Sequence, residues 1–144
     1  MNLSPHLSLA EFTMTGHRSL DNTLPTALMP EAERTAQLLE RVRSALGDKP
    51  ILVTSGYRSP AVNAAVGSGP GSDHPKAAAL DFHCPGFGSA YEVAKHLEPL
   101  VDQLGIGQLI YEQTWVHIST RMQAKAVNRV LTMRNGNYTP GVNL

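Results

Sequence analysis

Apolar and polar positions along this chain change their period several times, and each change marks an element. Ser8-Leu9-Ala10-Glu11 has the reciprocal form of a capping box and opens a short helix. A longer helix is expected from Pro30, because Leu38, Leu39, Val42, Ala45 and Leu46 fall on one apolar stripe before Gly47 ends it. Ile51 to Thr54 reads as a short buried strand leading into the turn Ser55-Gly56-Tyr57-Arg58. Ser59-Pro60 then supplies an N-cap and a first-turn proline for a helix to about Val66. Gly67 to Asp73, with three glycines and a proline, is expected to hold no regular structure.

Ala77 to Phe82 is the second expected strand, and Ser89-Ala90-Tyr91-Glu92 is a second capping box, starting a helix that Pro99 should kink near its end. Gln108 to Glu112 and Trp115 to Ser119 form a hairpin around Gln113-Thr114. Asn128 to Arg134 is one further strand, closed by the turn dipeptide Asn135-Gly136, with a polar tail beyond it. No internal repeat and no interdomain linker interrupts the pattern. The expectation is one domain over residues 1–144, of α+β class, with helices packed beside a short, mostly antiparallel sheet.

Composition narrows the partners. The 144 residues are 42% hydrophobic and 17% charged, with zero formal net charge, and lack the basic excess that nucleic-acid binding favours. A lone cysteine, Cys84, can make no internal disulfide and is expected to be a small buried hydrophobe. Met1 to Thr13 lacks the basic start and long apolar run of a signal peptide, and no window approaches the ~20 apolar residues of a membrane span. The expectation is therefore a monomer made in the cytoplasm, without membrane insertion, that reaches any wall substrate only by release or delivery.

The chemistry concentrates in Ser72-Asp73-His74-Pro75-Lys76-Ala77-Ala78-Ala79-Leu80-Asp81 and, much later, Trp115-Val116-His117. These segments offer two imidazoles and a carboxylate as candidate zinc ligands, and three such ligands leave a fourth position for water, the arrangement of hydrolytic rather than structural zinc. His74 and Asp81 fit neither one helix face nor one strand face, so a loop-to-strand junction must bend His74 back. His83 is the internal rival, since it shares a strand face with Asp81 at i and i+2. In the expected hairpin Ile110 faces His117 and Glu112 faces Trp115, which makes Glu112 and His117 diagonal neighbours with β-carbons on the order of 7 Å apart. A carboxylate there can serve as general base and acid. Asp73 is expected to be a solvated charge. The motifs H-E-x-x-H and G-x-S-x-G, a Walker loop and a dinucleotide fingerprint are all absent.

The pattern S-x-H-x-x-G-x-A-x-D, with W-x-H or W-H further on and S-G-Y-R-S upstream, resembles the D-Ala-D-Ala carboxypeptidase family of zinc peptidases, within the lysostaphin and hedgehog group. Ser72, His74, Ala79, Asp81, Trp115 and His117 match it, as do Ser55 to Ser59, while Ala77 stands where the family has glycine. Leu7 to Phe12 and Asp21-Asn22-Thr23 are similar to the small phage and prophage members. The resemblance selects Asp81 over His83 and implies Zn²⁺ on His74, Asp81 and His117. It implies Glu112 as the acid/base group, five residues before the last histidine, because Thr114 fills the other position the family uses. Arg58 would support the developing oxyanion, or pin its turn against a carboxylate, and Ser72, Trp115 and Tyr57 would contact substrate. The implied substrate is the peptide stem of bacterial peptidoglycan, cut as by a carboxypeptidase or a phage endolysin. The alternative class is a zinc-binding domain of a phage tail that recognises the wall without turnover; the presence of both Glu112 and Arg58 argues against it.

Overall fold

A computed structural model describes all residues from Met1 to Leu144. Strands β1 (Asn2–Ser4) and β2 (Leu7–Ser8) pair as a small antiparallel ribbon that the sequence pattern does not reveal, and run straight into α1 (Leu9–Phe12). The first capping box is formed: Ser8 Oγ accepts from the Glu11 amide at 3.1 Å, and Glu11 Oε1 accepts from the Ser8 amide at 2.9 Å. Phe12 is fully buried, and its carbonyl accepts the Tyr57 amide at 2.7 Å. That contact requires Gly56, where a β-carbon would lie 2.4 Å from the Phe12 carbonyl oxygen.

Helix α2 (Met29–Ala45) buries Ala32, Thr35, Ala36, Leu38, Leu39 and Val42, the face its apolar spacing demands. Strand β3 (Leu52–Ser55) is not the buried strand expected: it is an edge strand, paired to β4 alone, and Leu52 is 55% exposed. Its register slips between Val53 and Ser55, turning the chain toward the Arg58 loop. Helix α3 (Pro60–Ala65) starts as expected on Ser59, whose hydroxyl accepts from the Val62 amide at 3.2 Å.

The next strand, β4 (Ala79–His83), begins two residues later than the pattern suggests. A 3₁₀ turn at His74–Lys76 precedes it, and Ala77 closes that turn with φ 57°, in the left-handed region that costs an L-residue about 1–2 kcal/mol. That backbone angle is a reason glycine suits this position. Helix α4 (Ala90–Leu97) carries the second capping box but stops before Pro99; the chain tightens through a 3₁₀ turn at Glu98–Leu100 into α5 (Val101–Leu104) instead of kinking.

Strands β5 (Gln108–Tyr111) and β6 (Val116–Ser119) make the expected hairpin, with Ile110 opposite His117. Strand β7 (Val130–Arg134) continues through Asn135-Gly136, with φ 53° and 79°, into β8 (Asn137–Pro140). The segment expected as a polar tail is therefore a strand, because two positive φ values in a two-residue turn match the twist of a hairpin. Val142 is buried behind it.

The sheet order is β3-β4-β6-β5-β7-β8, antiparallel throughout except for the β5–β7 pair. Alternation divides the sheet into two faces. Leu80, Phe82, Leu109, Tyr111, Val116 and Ile118 join α2 and α4 in one core of 26 buried residues. Asp81, His117 and Ile110, aligned across three neighbouring strands, point the other way. No helix is long and apolar enough to cross a membrane.

Candidate functional site

The face opposite the helices forms the floor of a cleft of about 800 Å³, walled by the Arg58 turn and the glycine-rich segment on one side and by β5, β7 and β8 on the other. Strand register brings Asp81 and His117 face to face, and His117 Nδ1 lies 2.9 Å from Asp81 Oδ1. The 3₁₀ turn swings His74 back over β4, as the spacing anticipates, leaving its Nε2 3.4 Å from Asp81 Oδ2. The other ring nitrogen of His74 sits 2.6 Å from the Gly56 carbonyl. A carbonyl only accepts, so Nδ1 carries the hydrogen and Nε2 keeps its lone pair for the cleft. The chain from Phe12 through Gly56 thus fixes both the tautomer and the aim of His74.

Charge follows from these contacts. Burial alone would raise the Asp81 carboxyl, but hydrogen bonds from His117 and His74 and their charges outweigh it and hold the group well below the usual carboxylate range. Burial works to lower His117; the bond to Asp81 and the surrounding carboxylates prevail and raise it. Glu112 moves the other way: burial first, then the Asp81 charge, push it up, against His117, Trp115 and Arg58. Its Oε2 lies 4.0 Å from His117 Nδ1 and accepts the Trp115 indole hydrogen at 3.0 Å.

Arg58 spends one nitrogen on each of three neighbours: Nε donates to Ser55 Oγ at 3.0 Å, Nη1 to Ser68 Oγ at 3.1 Å, and Nη2 to Asp81 Oδ2 at 3.2 Å. The turn that presents it is clamped by Asn22, whose amide donates to the Thr13 and Tyr57 carbonyls while its oxygen accepts the Ser59 amide. Ser72 lines the cleft and accepts the His74 amide at 3.3 Å, and Trp115 stands in the cleft wall. Tyr57 is not brought to the cleft; it is buried in the core. Asp73 is not a solvated charge. It is buried, accepts Ser119 Oγ–H at 2.8 Å and pairs with Arg121 at 3.3 Å, tying the His74 turn to β6. Cys84 is buried, as expected.

One donor atom from each of His74, Asp81 and His117 lies within 4.8 Å of the others, a grouping that His83 does not join. Two imidazoles and a carboxylate form a donor set suited to zinc. Tetrahedral zinc with ligands at about 2.0–2.1 Å sets neighbouring donor atoms roughly 3.3 Å apart. The 3.4 Å pair meets that spacing, and the 2.9 Å pair is a proton-sharing contact that a cation would replace. The donor set and its convergence within 4.8 Å therefore fit such an ion.

The family profile described as Peptidase M15 matches residues 5–119. The chain belongs to the M15 peptidase family. This is the D-Ala-D-Ala carboxypeptidase-type family that the motifs resemble, and its members are metallopeptidases, usually of zinc. The fold agrees with that membership, and the protein is a peptidase with a peptide as its class of substrate. No curated protein matches the chain. The M15 match ends with β6, so β7, β8 and the cleft residues Gln123, Asn128, Leu131 and Tyr138 lie beyond it. Sequence reasoning gave these residues no role in the site, nor Ser68, and it noted Asn22 only as part of the Asp21-Asn22-Thr23 similarity, without its clamp on the Arg58 turn. The Asn135-Gly136 turn was the one signal that could have revealed β8.

Proposed function

We propose that this M15 peptidase hydrolyses an amide bond in the peptide stem of bacterial peptidoglycan, with His74, Asp81 and His117 holding one zinc ion. When bound, zinc supplies Lewis acidity, polarising a carbonyl and making water acidic enough to attack near neutral pH. Glu112 takes a proton from the attacking water and returns it to the leaving amine; its raised pKa suits both halves of that exchange. The Trp115 indole holds the carboxylate of Glu112 in place for the transfer. Arg58, part of its donor fork still free after three internal bonds, stabilises negative charge on the substrate carbonyl oxygen while its bond to Asp81 keeps that carboxylate ionised. Ser72 and Trp115 bound the substrate path.

The observation that carries this reading is the placing of Glu112 4.0 Å from His117 Nδ1, on the same sheet face as the convergent His74, Asp81 and His117. A domain that only stored zinc would need no half-buried carboxylate there. The similarity of the opening segment to phage and prophage members favours a role in lysis or on a virion tail.

The test is Glu112→Gln. Shape and the indole hydrogen bond can persist, but proton acceptance cannot. Zinc content and folding should be unchanged while release of stem-peptide fragments from purified peptidoglycan, followed by mass spectrometry, falls roughly 10²- to 10⁴-fold. Cleavage at the wild-type rate would remove Glu112 from the mechanism, and a wild-type protein that leaves peptidoglycan intact would refute the substrate.

A further inference from the structure

The residues beyond the M15 match add a second wall to the cleft, and one side chain there has no structural task. Parallel pairing sets Ile110 beside Leu131 and Tyr111 beside Thr132, so Glu112 runs level with Met133; antiparallel pairing then sets Met133 opposite Tyr138. Alternation puts Glu112, Met133 and Tyr138 on the same face as His117. Two strand spacings of about 4.8 Å separate the Glu112 and Tyr138 backbones, a gap of roughly 10 Å that a phenol leaning inward largely spans. Gln113 Nε2 holds the row together by donating to the Met133 carbonyl at 2.7 Å.

Tyr138 lines the cleft yet is 58% exposed, and its hydroxyl is held by no hydrogen bond within the chain. It is therefore free to bind without breaking anything. The cleft residues beyond the M15 match carry no formal charge: Gln123 and Asn128 offer amides and Leu131 an apolar floor, while the charged groups of the cleft belong to the wall around His117. Such a surface suits the backbone of a peptide better than a charged substituent.

We propose that Tyr138 is a substrate-contacting residue whose hydroxyl donates to a backbone carbonyl of the bound peptide one or two residues from the scissile bond. A phenol is a neutral donor near neutral pH, and partial burial, then the charges of Glu112 and Asp81, raise its pKa further. The inference rests on the reading of this cleft as the peptide-cleaving site.

Three proteins test it: the wild type, Tyr138→Phe and Tyr138→Ala, each assayed on purified stem peptides and on a digest of casein. Tyr138→Phe should raise KM about 3- to 10-fold with kcat nearly unchanged, the loss of one hydrogen bond, and Tyr138→Ala should raise it further. Binding is read separately. In a Glu112→Gln background, fluorescence of Trp115, the one tryptophan of the chain and itself in the cleft, should report a matching rise in Kd for the same peptide. Melting temperature should not move, because the side chain is largely solvent-exposed. Unaltered KM and Kd in both variants, or a loss accounted for by melting alone, would overturn the proposal. Cleavage of casein peptides without stem peptides would refute the peptidoglycan substrate and leave Tyr138 to be judged on casein. Cleavage of neither would overturn both.

Discussion

Thr35→Val is a nearly isosteric change far from the cleft that should nevertheless disturb it. Thr35 lies fully buried on α2, and its Oγ1 donates to the Ala77 carbonyl at 2.8 Å. Ala77 is the left-handed residue closing the turn that carries His74, and its own amide donates to the His74 carbonyl at 3.1 Å. Valine keeps the branched shape and a similar helix propensity, so only the hydroxyl is lost. Leaving the buried carbonyl without that donor costs about 1–3 kcal/mol. The extra buried methyl returns up to ~0.8 kcal/mol. The net loss is roughly 1–2 kcal/mol, a fall in melting temperature on the order of 3–8 °C for a chain of this size. Thr35→Ser is the control: it gives up a methyl at a similar cost in stability but keeps the donor. Melting in the presence of a chelator should therefore show both variants destabilised, while a zinc titration should show weakened affinity in Thr35→Val alone, because only there is the His74 turn released. If Thr35→Val melts at or above the wild-type temperature, or if Thr35→Ser loses as much zinc affinity, the hydroxyl does not position the turn.

Two further outcomes concern the buried donors. In metal-free protein the raised pKa of His117 contributes stability that is complete below its unfolded value of about 6.5 and is lost as pH rises through the folded value. The depressed Asp81 contributes stability above an unfolded value of about 3.9 that is lost as pH falls. Chelator-treated protein should accordingly lose stability on both sides of a window between those values, whereas zinc, which must displace the His117 proton, should bind more weakly as pH falls into it. Zinc affinity independent of pH across that range would refute the shared proton. Asp81→Ala should lower zinc affinity by more than the ~10- to 100-fold typical of an outer-sphere partner, and His83→Ala should leave it nearly unchanged. Equal losses by isothermal titration would show that the ligand set is wrong.

Much of this protein is legible where the decisive chemistry is local. Both capping boxes, the Ser59-Pro60 helix start and the β5–β6 hairpin each depend on interactions among a few adjacent residues, and all are formed. The juxtaposition of Glu112 with His117 followed from a two-residue turn and the alternation of strand faces. The family, too, was readable in the order of its motifs. Apart from the short β1–β2 ribbon and the β7–β8 hairpin, what escaped was set by partners far apart in the chain. Leu52 is exposed because it pairs with His83 on the sheet face away from the helices, and Asp73 is buried because Ser119, 46 residues away, bonds to it. Tyr57 turns to the core because its amide and carbonyl are held by Phe12 and Asn22, while its neighbour Arg58 turns to the cleft. Tyr138 enters the cleft because β7 pairs with β5 and carries β8 with it, a long-range pairing that local pattern does not encode. The sequence by itself determined the helices, the central hairpin and the candidate ligands, because these depend on neighbouring residues; the β1–β2 ribbon, β8 and the sheet order, which sets the residues that share a face, were decided by the tertiary structure.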